Sequence, residues 1–231
     1  MSKTPIGERH ALDAYGTDPR FALAICRRLA DIGQLFDGAR VLEPHVGKGP
    51  FVRALRQVAR EREWKFDIMV CDIDPNVPGM KYADQFKDVT AMPPCAFLEW
   101  AAEWEGEPWD LVVGNPPFSV VEPGKKRGPV VAHLHIQAAR KIAKATCLVT
   151  RVGLLTTSDD RPFALEEPPN HRFDAYPRPS FTIRGTDACE YLGGLWDDRM
   201  DRVQIAGVDC ATSEILQWKE IGRWPRTLPG G

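Results

Sequence analysis

The sequence predicts an α/β fold: a doubly wound, mostly parallel sheet whose last strand runs antiparallel. Three stretches carry that prediction. Val41-Leu42 runs into a turn containing Gly47 and Gly49, and a helical pattern follows with Phe51, Leu55 and Val58 on one face. Ile68-Met69-Val70-Cys71 ends at Asp72-Ile73-Asp74-Pro75, and Leu111-Val112-Val113 ends at Gly114. Each is a short apolar run stopped by turn residues, as buried strands of a parallel sheet are. In such sheets ligands bind at the carboxyl ends of the strands, so these three ends are where chemistry is expected.

The chain has 231 residues, which suits one domain over 1–231 with a sizeable core. Formal net charge is -2, so any contact with nucleic acid has to come from local patches. Six cysteines (26, 71, 95, 147, 189, 210) contain no C-x-x-C pair. Their scatter speaks against a metal site or a disulfide framework and fits reduced thiols in a cytoplasm. Neither an apolar leader nor a run of membrane-spanning length is visible, so no membrane partner is expected.

In chain order, Asp18-Pro19 reads as an N-cap with proline at the first helical position. Phe21, Ile25, Leu29 and Ile32 then recur at helical spacing, and Asp37-Gly38 closes the segment. The first strand ends in Glu43-Pro44-His45-Val46-Gly47-Lys48-Gly49-Pro50-Phe51. This is neither the dinucleotide fingerprint, which needs a third glycine, nor a P-loop, which needs Ser or Thr after the lysine. Glu43 would repel phosphates but suits a ligand carrying an ammonium and a sulfonium, and the glycines let backbone approach it closely. Lys48 reads as a solvated loop residue. Asp72, about twenty residues on, stands where a carboxylate grips a ribose hydroxyl pair, and Asp74 can cap the turn before Pro75.

The stretch Gly114-Asn115-Pro116-Pro117-Phe118 follows the next strand. Two prolines fix φ and remove two donors, so the loop cannot extend a ladder. It displays an amide side chain, carbonyls without competing donors, and an aromatic ring. That set suits a poorly nucleophilic planar amine. Acceptors on its two N–H bonds, the Asn115 side-chain oxygen and the Pro116 carbonyl, pull the nitrogen toward sp³ geometry, while Phe118 stacks on the planar group. A strand ending in a stiffened turn is the plainer alternative.

Lys125-Lys126-Arg127, set between glycines, is either a phosphate-contacting loop or a solvated one. Val131, Leu134, Ala138 and Ile142 mark an amphipathic helix. His133 and His135 lie two apart on it, face different ways, and read as structural or exposed. Residues 145–155 supply a fifth strand. Arg178-Pro-Ser-Phe181-Thr and 187–196 read as a hairpin, with Phe181 either a second stacking face or a core aromatic. The aromatic and basic residues of 218–226 read either as a nucleic-acid contact or, the reading preferred, as a tail packed back on the domain.

Glu43 to Phe51 and Asn115 to Phe118, in that order and with Asp72 between them, resemble S-adenosylmethionine-dependent N6-adenine DNA methyltransferases, class I enzymes of γ-type motif order. The resemblance covers roughly residues 13–196 and is nearest to small phage or bacterial types. It implies a Rossmann-like fold, S-adenosylmethionine as cofactor, and transfer of a methyl group to the N6 amine of an adenine flipped out of double-stranded DNA. It assigns catalysis to Asn115, Pro116, Pro117 and Phe118. It assigns cofactor contacts to Thr17, Glu43, Pro44, Gly47, Gly49, Phe51, Asp72, Ile73, Phe97 and Asn115, and DNA contacts to Lys125, Lys126, Arg127, Arg178 and Phe181. It treats 1–36 as a cofactor-covering helical segment and 156–231 as a proline-rich hairpin and tail with no separate recognition domain. Ala96 departs from the pattern, which usually has an aspartate there to hold the adenine amine of the cofactor. Glutamine-N5 methylation of protein, adenine methylation of RNA, and a non-catalytic nucleic-acid-binding relic of the fold are the alternatives.

Overall fold

The computed structural model describes residues 16–119, 130–155, 163, 167–174 and 190–200, with 175–176, 203–209 and 214–222 as backbone. Strands β1 (Arg40–Glu43), β2 (Asp67–Val70), β3 (Val89–Ala91), β4 (Trp109–Gly114), β5 (Ala143–Arg151), β6 (His171–Tyr176), β7 (Tyr191–Trp196), β8 (Val203–Asp209) and β9 (Glu214–Gly222) form one sheet in the order β3-β2-β1-β4-β5-β7-β6-β8-β9. The first five strands are parallel. Strand order reverses between β1 and β4, and with right-handed crossovers that reversal puts the connecting helices on opposite faces. Helices α1 (Pro19–Asp31) and α2 (Pro50–Arg62) pack on each other, α3 (Pro78–Ala83) lies beside α2, and α4 (Phe97–Ala102) packs on α5 (Ala132–Ile142).

Local chemistry explains most boundaries. Asp18 accepts the Arg20 amide at 2.9 Å and Pro19 opens α1, a cap worth about 1 kcal/mol. The expected apolar stripe of α1 is buried at Phe21, Ile25 and Leu29. Asp110 accepts from the Arg40 amide at 2.9 Å and from Lys144 Nζ at 2.7 Å, which ties together the starts of β1, β4 and β5. No helix among the described residues is long and apolar enough to cross a membrane, and no group of three or more His, Cys, Asp or Glu there could hold a metal ion.

The second half follows the sequence reading and adds to it. Strand β7 is antiparallel to both neighbours, inserted between β5 and β6, and β8 and β9 extend the sheet beyond β6. The chain's last strand, β9, is antiparallel to β8, as expected, and β7 is a second strand of that direction inside the sheet. Strand β7 pairs with 171–174 of β6 on one side and with β5 on the other; the 178–182 stretch lies outside the described residues. Of the residues read as the apolar stripe of α5, Val131 and Ile142 are buried and Ala138 half-buried, whereas Leu134 is 42% exposed and the core position beside it belongs to His135.

Candidate active site

Strands β1 and β4 are neighbours in register, Val41 opposite Leu111 and Leu42 opposite Val112. Their carboxyl ends therefore release two loops side by side. A Cβ placed on Gly114 would lie 3.8 Å from Glu43 Cγ, Pro44 Cδ and His45 Nδ1 alike. The residue before Asn115 thus faces the acid-tipped loop with room for about one methyl group between them. Adjacent strand ends bring the two motifs side by side.

The loop after β1 is held by backbone. Gly47 and Gly49 take positive φ, +48° and +75°, where a Cβ is strained. The Gly47 amide donates to Asp72 Oδ2 at 2.9 Å, and the Gly47 carbonyl accepts from the Gly79 amide at 2.8 Å. The Gly49 amide closes the turn on the Val46 carbonyl. A Cβ on Gly79 would come within 2.7 Å of Val46 Cγ2, 2.8 Å of the Gly47 oxygen and 2.9 Å of the Gly49 nitrogen. Gly79 is thus part of the cradle. Sequence reasoning missed it because nothing in the local pattern of α3 marks that approach.

Glu43 is 1% exposed, and neither carboxylate oxygen has a hydrogen-bond partner among the described residues. Burial pushes its pKa well up; the Val52 amide offsets part of this, and nearby Asp72 adds to it. The Arg53 charge offsets only part of that burial, so the position is chemically suited to a cationic ligand group. Asp72 accepts from the Gly47 and Asp74 amides, at 2.9 and 3.1 Å. Burial raises its pKa, although both amides work against that. Asp74 caps the Asn76 amide at 2.8 Å, the capping role read from the sequence. Ile73 is 53% exposed beside them, an apolar surface at the same strand end. Thr17 is buried, and Gly16 lies against the Lys48 side chain, so the segment entering α1 passes over the glycine loop.

The loop after β4 is held by side chains. Asn115 is half-buried and Pro116 is buried. Phe118 is 3% exposed; its ring packs on Tyr191 (centroids 5.5 Å apart), and the Arg151 guanidinium sits 4.9 Å over it. The Val131 amide donates to the Phe118 carbonyl, and Ser119 bridges Val130. Residues 119 and 130 are thus paired beside the Asn115–Phe118 loop. Lys125, Lys126, Arg127, Arg178 and Phe181 lie outside the described residues.

Below the two loops lies an aromatic cluster the sequence did not reveal. His45 Nε2 and His135 Nδ1 are 2.8 Å apart. Phe97 meets His45 edge-on at 5.2 Å and stacks on His135 at 5.9 Å. Burial holds both imidazoles neutral, pulling His45 well down and His135 to about 4. The ring of Phe97 is thus committed to this cluster and 4% exposed. Ala96 is the N-cap of α4 and supplies no side-chain hydrogen bond.

No family model matches the chain. Over 131 residues it is 30% identical to the type II methyltransferase M.TthHB8I of Thermus thermophilus, a match covering 54% of this chain and 26% of that protein. Among solved structures it is similar to the type I restriction-modification methyltransferase subunit of Streptococcus thermophilus (TM-score 0.64, 12% identity, 88% of this chain and 50% of that one). It is also similar to a candidate RNA methyltransferase of Pyrococcus horikoshii (TM-score 0.58, 15% identity, 81% of this chain and 88% of that one). The chain spans about a quarter of the length of the curated relative it matches. Its fold is that of the class I S-adenosylmethionine-dependent methyltransferases.

Proposed function

We propose that the chain transfers a methyl group from S-adenosylmethionine to the exocyclic N6 amine of adenine in DNA. The observation that carries this reading is the juxtaposition, at the ends of neighbouring strands β1 and β4, of an acid-tipped glycine loop and an Asn-Pro-Pro-Phe loop. DNA as acceptor is supported by the likeness to M.TthHB8I and by the resemblance of the Asn115–Phe118 motif to that of adenine methyltransferases.

The residues present fit the cofactor. Glu43 offers a buried carboxylate to an ammonium, Gly47 and Gly49 leave the backbone open to close approach, and Asp72 offers acceptors to ribose hydroxyls. Bound there, the cofactor supplies an electrophilic methyl carbon. The chain's own part is positioning and electrostatics. The Asn115 side-chain oxygen and the Pro116 carbonyl accept the two N–H bonds of the target amine. This draws the lone pair out of the ring and aims it. No strong base is needed before attack, since the amine proton becomes acidic only when the nitrogen carries positive charge. The adenine has to leave the duplex to reach the loop. Stacking on the covered face of Phe118 requires the Arg151 guanidinium to yield, so Arg151 competes with the base for that ring.

The test is methyl transfer to unmethylated DNA, digested to nucleosides and read by mass, with Asn115→Ala as control. N6-methyladenine made only by the unaltered protein is the expected result. Cofactor binding without any methylated adenosine would overturn DNA as the acceptor, and RNA and glutamine-containing peptides would then be assayed in its place. Turnover retained in Asn115→Ala would overturn the mechanism.

A further inference from the structure

Two cysteines that sequence spacing keeps apart meet beneath the proposed cofactor site. Cys71 and Cys95 are 24 residues apart, yet their sulfurs are 3.0 Å apart and hydrogen-bonded, and both are free thiols. Cys71, at the end of β2, is fully buried and wired into the glycine loop. Its amide donates to the Glu43 carbonyl, its carbonyl accepts from the Val46 amide, and its thiol faces the Pro44 carbonyl at 3.7 Å. Cys95, between β3 and α4, is half-buried, and its amide donates to the Asp72 carbonyl. Each cysteine therefore stands next to a residue assigned to the cofactor: Cys71 before Asp72, and Cys95 two before Phe97.

We propose that Cys71 and Cys95 are an oxidisable dithiol that hydrogen peroxide converts to a disulfide, weakening cofactor binding. Cys95 is the attacking group, being the more accessible of the two. The two thiols also divide the work electrostatically. The hydrogen bond with Cys71 pulls Cys95 down, while the contact with Cys95 and burial beside Asp72 and Glu43 push Cys71 up. The Cys95 thiolate attacks one peroxide oxygen, the O–O bond breaks, and the second oxygen leaves as water after taking a proton. Cys71 then attacks the sulfur of the Cys95 sulfenic acid, the S–S bond forms, the S–O bond breaks, and a second water leaves. The thiols lose two electrons and two protons, and the peroxide is reduced to two waters.

Closing the pair into a bond takes about 1 Å of movement. Cys71 is pinned to β1 and the glycine loop, so the movement falls on the β3–α4 connection and on the Asp72 carbonyl bonded to it. Hydrogen bonds to a ribose tolerate little displacement, so the oxidised protein loses affinity. Among the described residues the other cysteines, Cys26 and Cys147, are buried, and burial raises both thiols. They should react last.

The test uses the full chain. The reduced protein is titrated with hydrogen peroxide, remaining thiols are alkylated, and the digest is read by mass. The expected product is a 71–95 cross-linked peptide, two hydrogen masses light, which appears first, is reversed by dithiothreitol, and is missing in Cys71→Ser and in Cys95→Ser. Dominant linkage to Cys189 or Cys210, or Cys95 recovered as sulfinic acid without a cross-link, would overturn the proposal. Titration of the same samples with S-adenosylmethionine should show a loss on the order of tenfold on oxidation, restored by reduction and not seen in Cys95→Ser. Equal binding by both forms would overturn the effect on the site. This second readout rests on the proposed function, whereas the first does not. A reduced protein that forms the cross-link but binds no cofactor would overturn the proposed function and leave the dithiol standing.

Discussion

The loops that follow β1 and β4 leave adjacent strands and face each other across Gly114, yet they are held in opposite ways. The first is fixed by backbone: two left-handed glycines, amide bonds to Asp72 and Val46, and the close approach of Gly79. The second is fixed by prolines and by side-chain packing on Phe118, with Tyr191 on its ring and Arg151 over it. A loop built from backbone can hold a ligand whose recognition needs close approach, and it fails when an atom is added. A loop that works through one displayed amide fails when that side chain is removed.

Four measurements break or sharpen that contrast. The largest effect is expected from Asn115→Ala, which should lower kcat at least about 100-fold while changing cofactor affinity less than about twofold. Steady-state rates and a cofactor titration check it together. Next, Gly79→Ala should damage the first loop by addition alone, costing about 1–3 kcal/mol and weakening cofactor binding. The same methyl at Gly114 meets only ordinary contacts at 3.8 Å, so Gly114→Ala should stay within about 0.5 kcal/mol of the parent protein in thermal denaturation. Comparable losses at the two glycines would end the distinction.

Glu43→Gln tests the carboxylate itself. Burial raises the Glu43 pKa in the folded chain, so above the ordinary carboxylate range the folded protein holds a proton that the unfolded chain has released. Stability of the cofactor-free protein should therefore fall as pH rises through the window between the two values. The glutamine variant should flatten that slope, raise Tm at neutral pH and bind cofactor less well. An unchanged Tm–pH profile would mean that Glu43 carries no such linkage. The smallest effect is expected from the histidines. His135 titrates at about 4 when folded and about 6.5 when unfolded, so the unfolded chain binds the extra proton between those values. Stability should be full above about pH 6.5 and decline toward pH 4, and His135→Gln should remove part of that decline in acid denaturation followed by fluorescence.

The sequence disclosed what depends on neighbours along the chain. The cap at Asp18-Pro19, the glycine loop, the capping turn at Asp74 and the stiffened loop at Asn115 are all local, and each is found at the residues expected. What it withheld depends on approach across the fold. The Cys71–Cys95 thiols, the His45–His135 pair and the contact of Gly79 with Gly47 each join segments at least 24 residues apart. On α5 only Leu134 was misplaced, because His135 occupies the core position that a hydrophobicity pattern treats as polar. The assignment of Phe118 as an open stacking face could not anticipate Arg151 above its ring.

The place of β7 in the sheet also fixes an order of assembly. Every parallel unit from β1 to β5 can form from chain already synthesised once residue 151 has emerged, each strand finding its neighbour across one helical crossover or beside an earlier strand. Strand β6 emerges next but has no edge to join, because β5 pairs with β7 and β6 is reached only through it. On a ribosome, then, β6 waits as an unpaired strand until Trp196 appears, beside a β5 whose outer edge is equally bare. During that interval the Asn115 loop still lacks Tyr191 against Phe118 and the sheet edge beside it is open, and an open edge is where a nascent chain is most exposed to pairing with another copy of itself.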